Sequence, residues 1–152
     1  MTATTVTDVE GLPSLAGTHL GHSRWRPISQ ATIDRFADAT DDHQWIHVDV
    51  ERAAAGGFGG TIAHGYLTLA LVVPLLSEIL EVEGARMTVN YGSNRVRFPA
   101  PVPAGSSIRL GAFLKEVVSV EGGVQALIEA TVEVEGGAKP GCVAEIILRY
   151  YA

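Results

Sequence analysis

The spacing of apolar positions changes period along this chain. Ile33, Phe36 and Ala37 recur at helical spacing behind Ser29, a good N-cap, so a short helix is expected over about Gln30–Ala39. From Ile62 to Leu80 apolar residues fall on every face of a helix, interrupted by His64, Pro74, Ser77 and Glu78. A long helix is expected to begin near Thr61 or Ile62 and to end near Glu83-Gly84. Beyond it the period becomes two. Met87, Val89 and Tyr91 alternate within Arg86–Pro99, and Ile108, Leu110, Ala112 and Leu114 within Ser107–Val120. Ala126, Ile128, Ala130, Val132 and Val134 alternate within Val124–Val134, and Cys142–Tyr151 closes the chain. Glu121-Gly122-Gly123 and Glu135-Gly136-Gly137 read as hairpin turns. Ahead of the short helix, Thr18–Arg26 reads as a strand ended by Pro27, and Met1–Gly17 as a loose lead-in. Thr40–Gln44 is a polar loop, Asp49 caps a brief helical turn through Ala55, and Gly56–Gly60 is flexible backbone.

The resulting order is strand, short helix, loop, long helix, then four antiparallel strands. A helix this apolar needs cover over most of its circumference, and a strongly curved antiparallel sheet of about five strands can supply it. The expected class is α+β in the hotdog arrangement, with the long helix as filling. The chain has 152 residues and shows no repeat, low-complexity segment or linker, so one domain spanning 1–152 is expected, with 1–17 as its lead-in.

Composition narrows the partners. Charged residues make up 18% against 47% hydrophobic, which fits a domain partly covered by another subunit. The net charge is −6 and no cluster of Lys or Arg with interleaved aromatics is present, which argues against nucleic acid. Cys142 is the sole cysteine, lies in an apolar run, and reads as a core thiol in a reducing compartment. The opening residues lack the basic start and apolar centre of a signal peptide, and Ile62–Leu80 reads as a buried helix rather than a membrane span, so a cytoplasmic protein is expected.

Two stretches carry chemistry. In Asp41-Asp42-His43-Gln44-Trp45-Ile46-His47, carboxylates and imidazoles are interleaved with apolar residues that shield Asp42 and His47, the conditions that tune an acid–base pair. In Phe58-Gly59-Gly60-Thr61-Ile62-Ala63-His64-Gly65, a glycine-rich loop opens the long helix. Free N–H groups there favour negative charge, and the Gly65 N–H is the candidate to hold an enolate-like oxygen. Asp41 and Asp49 read as solvated or capping, and Arg95, Arg97 and Lys139 as ordinary surface charge. His64 reads as a structural hydrogen-bonding residue. No metal is expected: His43 and His47 are four apart, but Gln44 stands where a zinc helix carries its Glu. The glycine run lacks the Lys-Ser/Thr ending of a phosphate loop.

These residues resemble the hydratase-2 motif of the MaoC-like, R-specific enoyl-CoA hydratases, Gly-Asp-x-Asn-Pro-(aliphatic)-His with a later Ala-His-Gly. Asp42 matches the motif aspartate and His47 the histidine, with the same four-residue gap. Ile62-Ala63-His64-Gly65 matches the helix-opening element. Asn90-Tyr91-Gly92, followed by Arg97-Phe98-Pro99-Ala100-Pro101-Val102, is similar to the family's next strand and its exit. Three positions depart from the motif: Asp41 stands for Gly, Gln44 for Asn and Trp45 for Pro, which bears on loop geometry and substrate choice. The resemblance implies reversible addition of water to a trans-2-enoyl-CoA, giving a (3R)-3-hydroxyacyl-CoA in fatty acid metabolism. Asp42 and His47 would be catalytic, with Ile62, Ala63, His64, Gly65, Tyr91 and Gly92 around the substrate. It also implies a homodimer and no cofactor beyond the coenzyme A of the substrate. Three other readings stay open on the same fold: a thioesterase, a (3R)-hydroxyacyl dehydratase acting on acyl carrier protein, and a non-catalytic acyl-thioester-binding subunit.

Overall fold

The computed structural model of the chain describes residues 4–152. It opens with β1 (Thr5–Asp8) and a 3-10 turn (Leu12–Leu15), followed by β2 (Thr18–His22) and the two-residue β3 (Arg26–Pro27). Helix α1 (Gln30–Thr40) starts at Ser29, whose hydroxyl accepts from the Thr32 N–H at 3.2 Å. It stops at Asp41, which takes the left-handed conformation at φ 60°. Two short helices follow, α2 (Trp45–Val48) and α3 (Val50–Ala54), and the Asp49 carboxylate caps the second by accepting from the Arg52 N–H. Next come α4 (Gly65–Ala70), α5 (Val72–Leu76), β4 (Leu80–Glu83) and β5 (Met87–Arg97). The chain ends with β6 (Ser107–Val120), β7 (Gly123–Val134) and β8 (Cys142–Tyr151).

The main sheet is antiparallel in the order β2-β6-β7-β8-β5, with β3 also on β6, making six strands. Its alternation is that of the sequence. Ile108, Leu110, Ala112 and Leu114 point inward from β6, Ala126, Ile128, Ala130 and Val132 from β7, and Cys142, Ala144, Ile146 and Leu148 from β8. Against this face lie Leu67, Leu71, Val72, Leu75 and Leu76 of the central helical segment. Each buried Leu, Ile or Val contributes roughly 1.5–3 kcal/mol of transfer free energy. Cys142 is buried as expected, and burial pushes its thiol up to about 11.

Several expectations are corrected. The lead-in is ordered over its described part: β1 pairs in parallel with β4, from Thr5↔Leu80 to Asp8↔Glu83, and Leu12 is wholly buried. Residues 1–3 of the lead-in lie outside the described residues. The central helix is also shorter than expected. Pro74 has no N–H for the Ala70 carbonyl, and the helix breaks at Leu71 into α4 and α5. The Glu78 and Ile79 N–H groups then fold back onto the Leu75 and Leu76 carbonyls, freeing Leu80–Glu83 to pair with β1. The strand expected over Thr18–Arg26 divides into β2 and β3. Glu121-Gly122 makes the tight β6–β7 turn, with Gly122 at φ 79°. Glu135–Gly137 turns the chain too, but Ala138–Gly141 extends that connection before β8 begins. Met87 and Tyr91 do not share a buried face, because β5 is the edge strand and its register shifts between Asn90 and Gly92.

Candidate active site

Helix α2 presents His47, and the chain's own hydrogen bonds fix its ring. The Ile62 N–H donates to the Ile46 carbonyl at 3.0 Å, holding the segment before α4 against α2. The Nδ1 of His47 lies 2.7 Å from the Ile62 carbonyl oxygen. A carbonyl can only accept, so Nδ1 carries a hydrogen, and in the neutral tautomer this leaves the lone pair on Nε2. Gln30 braces the same place from α1. Its amide nitrogen donates to the His47 carbonyl at 2.7 Å and to Asp34 at 2.9 Å, and its amide oxygen accepts from the Thr61 hydroxyl. All of the hydrogen-bonding groups of the Gln30 side chain are thereby engaged, which joins α1, α2 and the glycine-rich approach to α4.

Asp42 lies in the loop between α1 and α2 with its carboxylate exposed, so the shielding expected of both residues holds for the buried His47 and not for Asp42, whose loop has no apolar cover. Its Oδ1 lies 3.4 Å from the Gln44 N–H. One oxygen of this carboxylate and one ring nitrogen each of His47 and His64 lie within 4.8 Å of one another. A water about 2.8 Å from each of two groups spans a gap of this size. The departures from the hydratase-2 motif also have a local explanation. Asp41 occupies a left-handed position, which glycine adopts without steric cost. Trp45 occupies the first position of α2, where a proline is tolerated because that N–H has no intrahelical acceptor.

A cleft of about 350 Å³ opens at His47, with Asp42 and His64 behind it and not among its lining residues. His47, Ile62, Ala63, Gly65, Thr68 and Phe58 line it on one side, and residues 98–102 with Gly141 on the other. Gly65 is the first residue of α4, so its N–H has no acceptor within that helix. A Cβ at Gly65 would sit 2.9 Å from ring carbons of Phe98, so a larger residue there would have to displace that ring. A second cleft of about 630 Å³, lined by Ser29, Val50, Gly60 and Pro103 among others, adjoins the first across Phe58.

The structure thus gathers Asp42, His47, Ile62, Ala63, His64 and Gly65 in one place. Tyr91 and Gly92 are not among the residues that line the cleft. They lie on β5, with the Arg149 guanidinium 3.5 Å over the Tyr91 ring. His43 points to Asp38 at 2.9 Å instead of pairing with His47, and that hydrogen bond raises its pKa above the usual imidazole value. The residues that sequence reasoning missed are Gln30, Thr68 and the Phe98 wall. Phe98-Pro99-Ala100-Pro101 was visible as a strand exit, since proline cannot continue a ladder. Nothing local showed that it faces the histidines. No helix among the described residues is long and apolar enough to cross a membrane.

The chain resembles known proteins in sequence and in fold. A family model described as a MaoC like domain matches residues 12–137. The 3-hydroxyacyl-thioester dehydratase Z of Mycobacterium tuberculosis is 54% identical over 149 residues, 97% of this chain and 99% of that one. Nodulation protein N of Rhizobium leguminosarum bv. viciae is 45% identical over 140 residues, 90% of this chain and 86% of its own length. Among solved structures, the unliganded R-hydratase of Pseudomonas aeruginosa superposes with a TM-score of 0.74 at 23% identity. That match covers 90% of this chain and 81% of that one, a likeness of fold.

Proposed function

This chain is a hydro-lyase of the MaoC-like dehydratase family, and from that premise we propose that it is an (R)-specific enoyl-CoA hydratase working reversibly in fatty acid metabolism. The observation that carries the reading is the Asp42 carboxylate within 4.8 Å of a His47 whose Nδ1 is committed to the Ile62 carbonyl. In this reading the carboxylate and the imidazole share one water, beside a cleft lined by His47 and Gly65.

The Asp42 carboxylate removes a proton from the water, which His47 orients through Nε2. The water oxygen bonds to C3 of the enoyl thioester as the C2–C3 π electrons move towards the carbonyl. The oxygen then bears enolate charge, and the Gly65 N–H donates to it. The proton taken from water returns to C2 from the same pair, leaving a 3-hydroxyacyl thioester and a site in its starting state. Dehydration is the reverse. The mostly apolar cleft takes the acyl chain, and the only coenzyme involved is the coenzyme A that the substrate carries. The expected assembly is a homodimer joined through sheet edges, in a cytoplasmic setting that keeps Cys142 a thiol.

The test is hydration of a crotonyl thioester with chiral analysis of the product. The purified chain alone should give the (3R) product without releasing free thiol. Asp42→Asn and His47→Gln should each lower turnover by roughly 10²–10⁴, and the double variant should lose little more than the worse single one. Thiol release without hydration would favour the thioesterase reading. Near wild-type rates in either single variant would remove the proposed pair.

A further inference from the structure

His64 immediately precedes α4 and is 3% exposed, almost wholly out of solvent. Its ring is held between two others. It stacks on His47 with centroids 3.8 Å apart and planes 24° from parallel, and it meets Phe36 at 4.9 Å and 55°. Its Nε2 lies 2.9 Å from the main-chain carbonyl oxygen of Asp42. That oxygen only accepts, so Nε2 carries the hydrogen and the other nitrogen bears a lone pair. Among the described residues the buried Nδ1 finds no hydrogen-bond partner.

One imidazole thus touches both members of the acid–base pair without reaching the cleft. It ties down the main chain that carries Asp42, and it forms the floor on which the His47 ring rests. These holds add to the Ile62 carbonyl on Nδ1 of His47 at 2.7 Å and the Gln44 N–H on the Asp42 carboxylate at 3.4 Å. We propose that His64 is a positioning residue for hydration: through its Asp42 tether and its stack on His47, it sets the gap across which the pair shares a water. Misplacing catalytic groups by about 1 Å can cost on the order of 10²-fold in rate.

This inference rests on the Asp42–His47 reading, and the experiment separates the two. His64→Phe keeps an aromatic floor and removes the tether; His64→Gln keeps a donor near the Asp42 carbonyl and removes the stack. Each variant should fold with a near wild-type circular dichroism spectrum. Each should lower kcat for crotonyl-CoA hydration by about tenfold to a hundredfold, with KM changed less than about threefold. Combined with Asp42→Asn, either should cost less than a further threefold, because the geometry it protects is already without its base. A kcat within about twofold of wild type in both variants, or losses that multiply fully with Asp42→Asn, would overturn the proposal. So would failure of both variants to fold, which would make His64 a core residue only. If Asp42→Asn itself kept the wild-type rate, the parent reading would fail instead.

Discussion

At the scale of single residues, the proposed mechanism depends on what is absent from Gly65 as much as on what Asp42 and His47 carry. The space a Cβ would need is filled by the Phe98 ring, 2.9 Å away. Phe98 is partly exposed and can give way, so the cost of a methyl group there falls on the cleft more than on the core. Gly65→Ala is expected to lower kcat/KM by about tenfold, equivalent to about 1.4 kcal/mol of transition-state stabilisation. Adding Phe98→Ala should restore part of the loss by removing the obstacle. Steady-state kinetics on the two variants checks this; an unaffected Gly65→Ala enzyme would show that the approach to the Gly65 N–H does not matter. Asp41 makes a related point. Its left-handed backbone shows why a glycine suits that position, and this chain meets the requirement with one of the few side chains that tolerate it.

The elements show where local pattern is a sufficient guide and where it is not. β6, β7 and β8 follow their period-two alternation because each has one face on the core and one outside. α1 follows its cap and its apolar stripe, with Ile33 and Ala37 buried. The lead-in carries no such pattern, yet Leu12 is fully buried in a turn beneath the sheet's inner face, and β1 is held by β4. Leu12→Ala is therefore expected to destabilise the fold by about 2–5 kcal/mol, measured by urea unfolding at constant m. A loose lead-in would give a change near zero.

For the whole molecule, the open question is the edge of the sheet. β5 lies at the end of the strand order, and its exposed residues include Met87 and Tyr91. A strand of this length at a sheet edge offers unpaired N–H and C=O groups to another chain. The expected outcome is a second copy of this chain across that edge. Light scattering at micromolar concentration should give twice the chain mass. A monomer mass under those conditions would contradict the homodimer and leave β5 to be protected by its own bulges, including Arg95 at φ 48°.

By itself the sequence determined the strands of the C-terminal half, the capped first helix, the apolar filling and the polar loop bearing Asp42. Each of these is written in neighbouring residues, as a period, a cap or a fixed gap. Only the tertiary structure decided the parallel pairing of β1 with β4, the early end of the central helix, the bracing by Gln30 and the placing of His64 beneath His47. Those features join segments far apart in the chain. Periodicity reports which face of an element is buried but not what it is buried against, and that choice is made by the packing of the whole core.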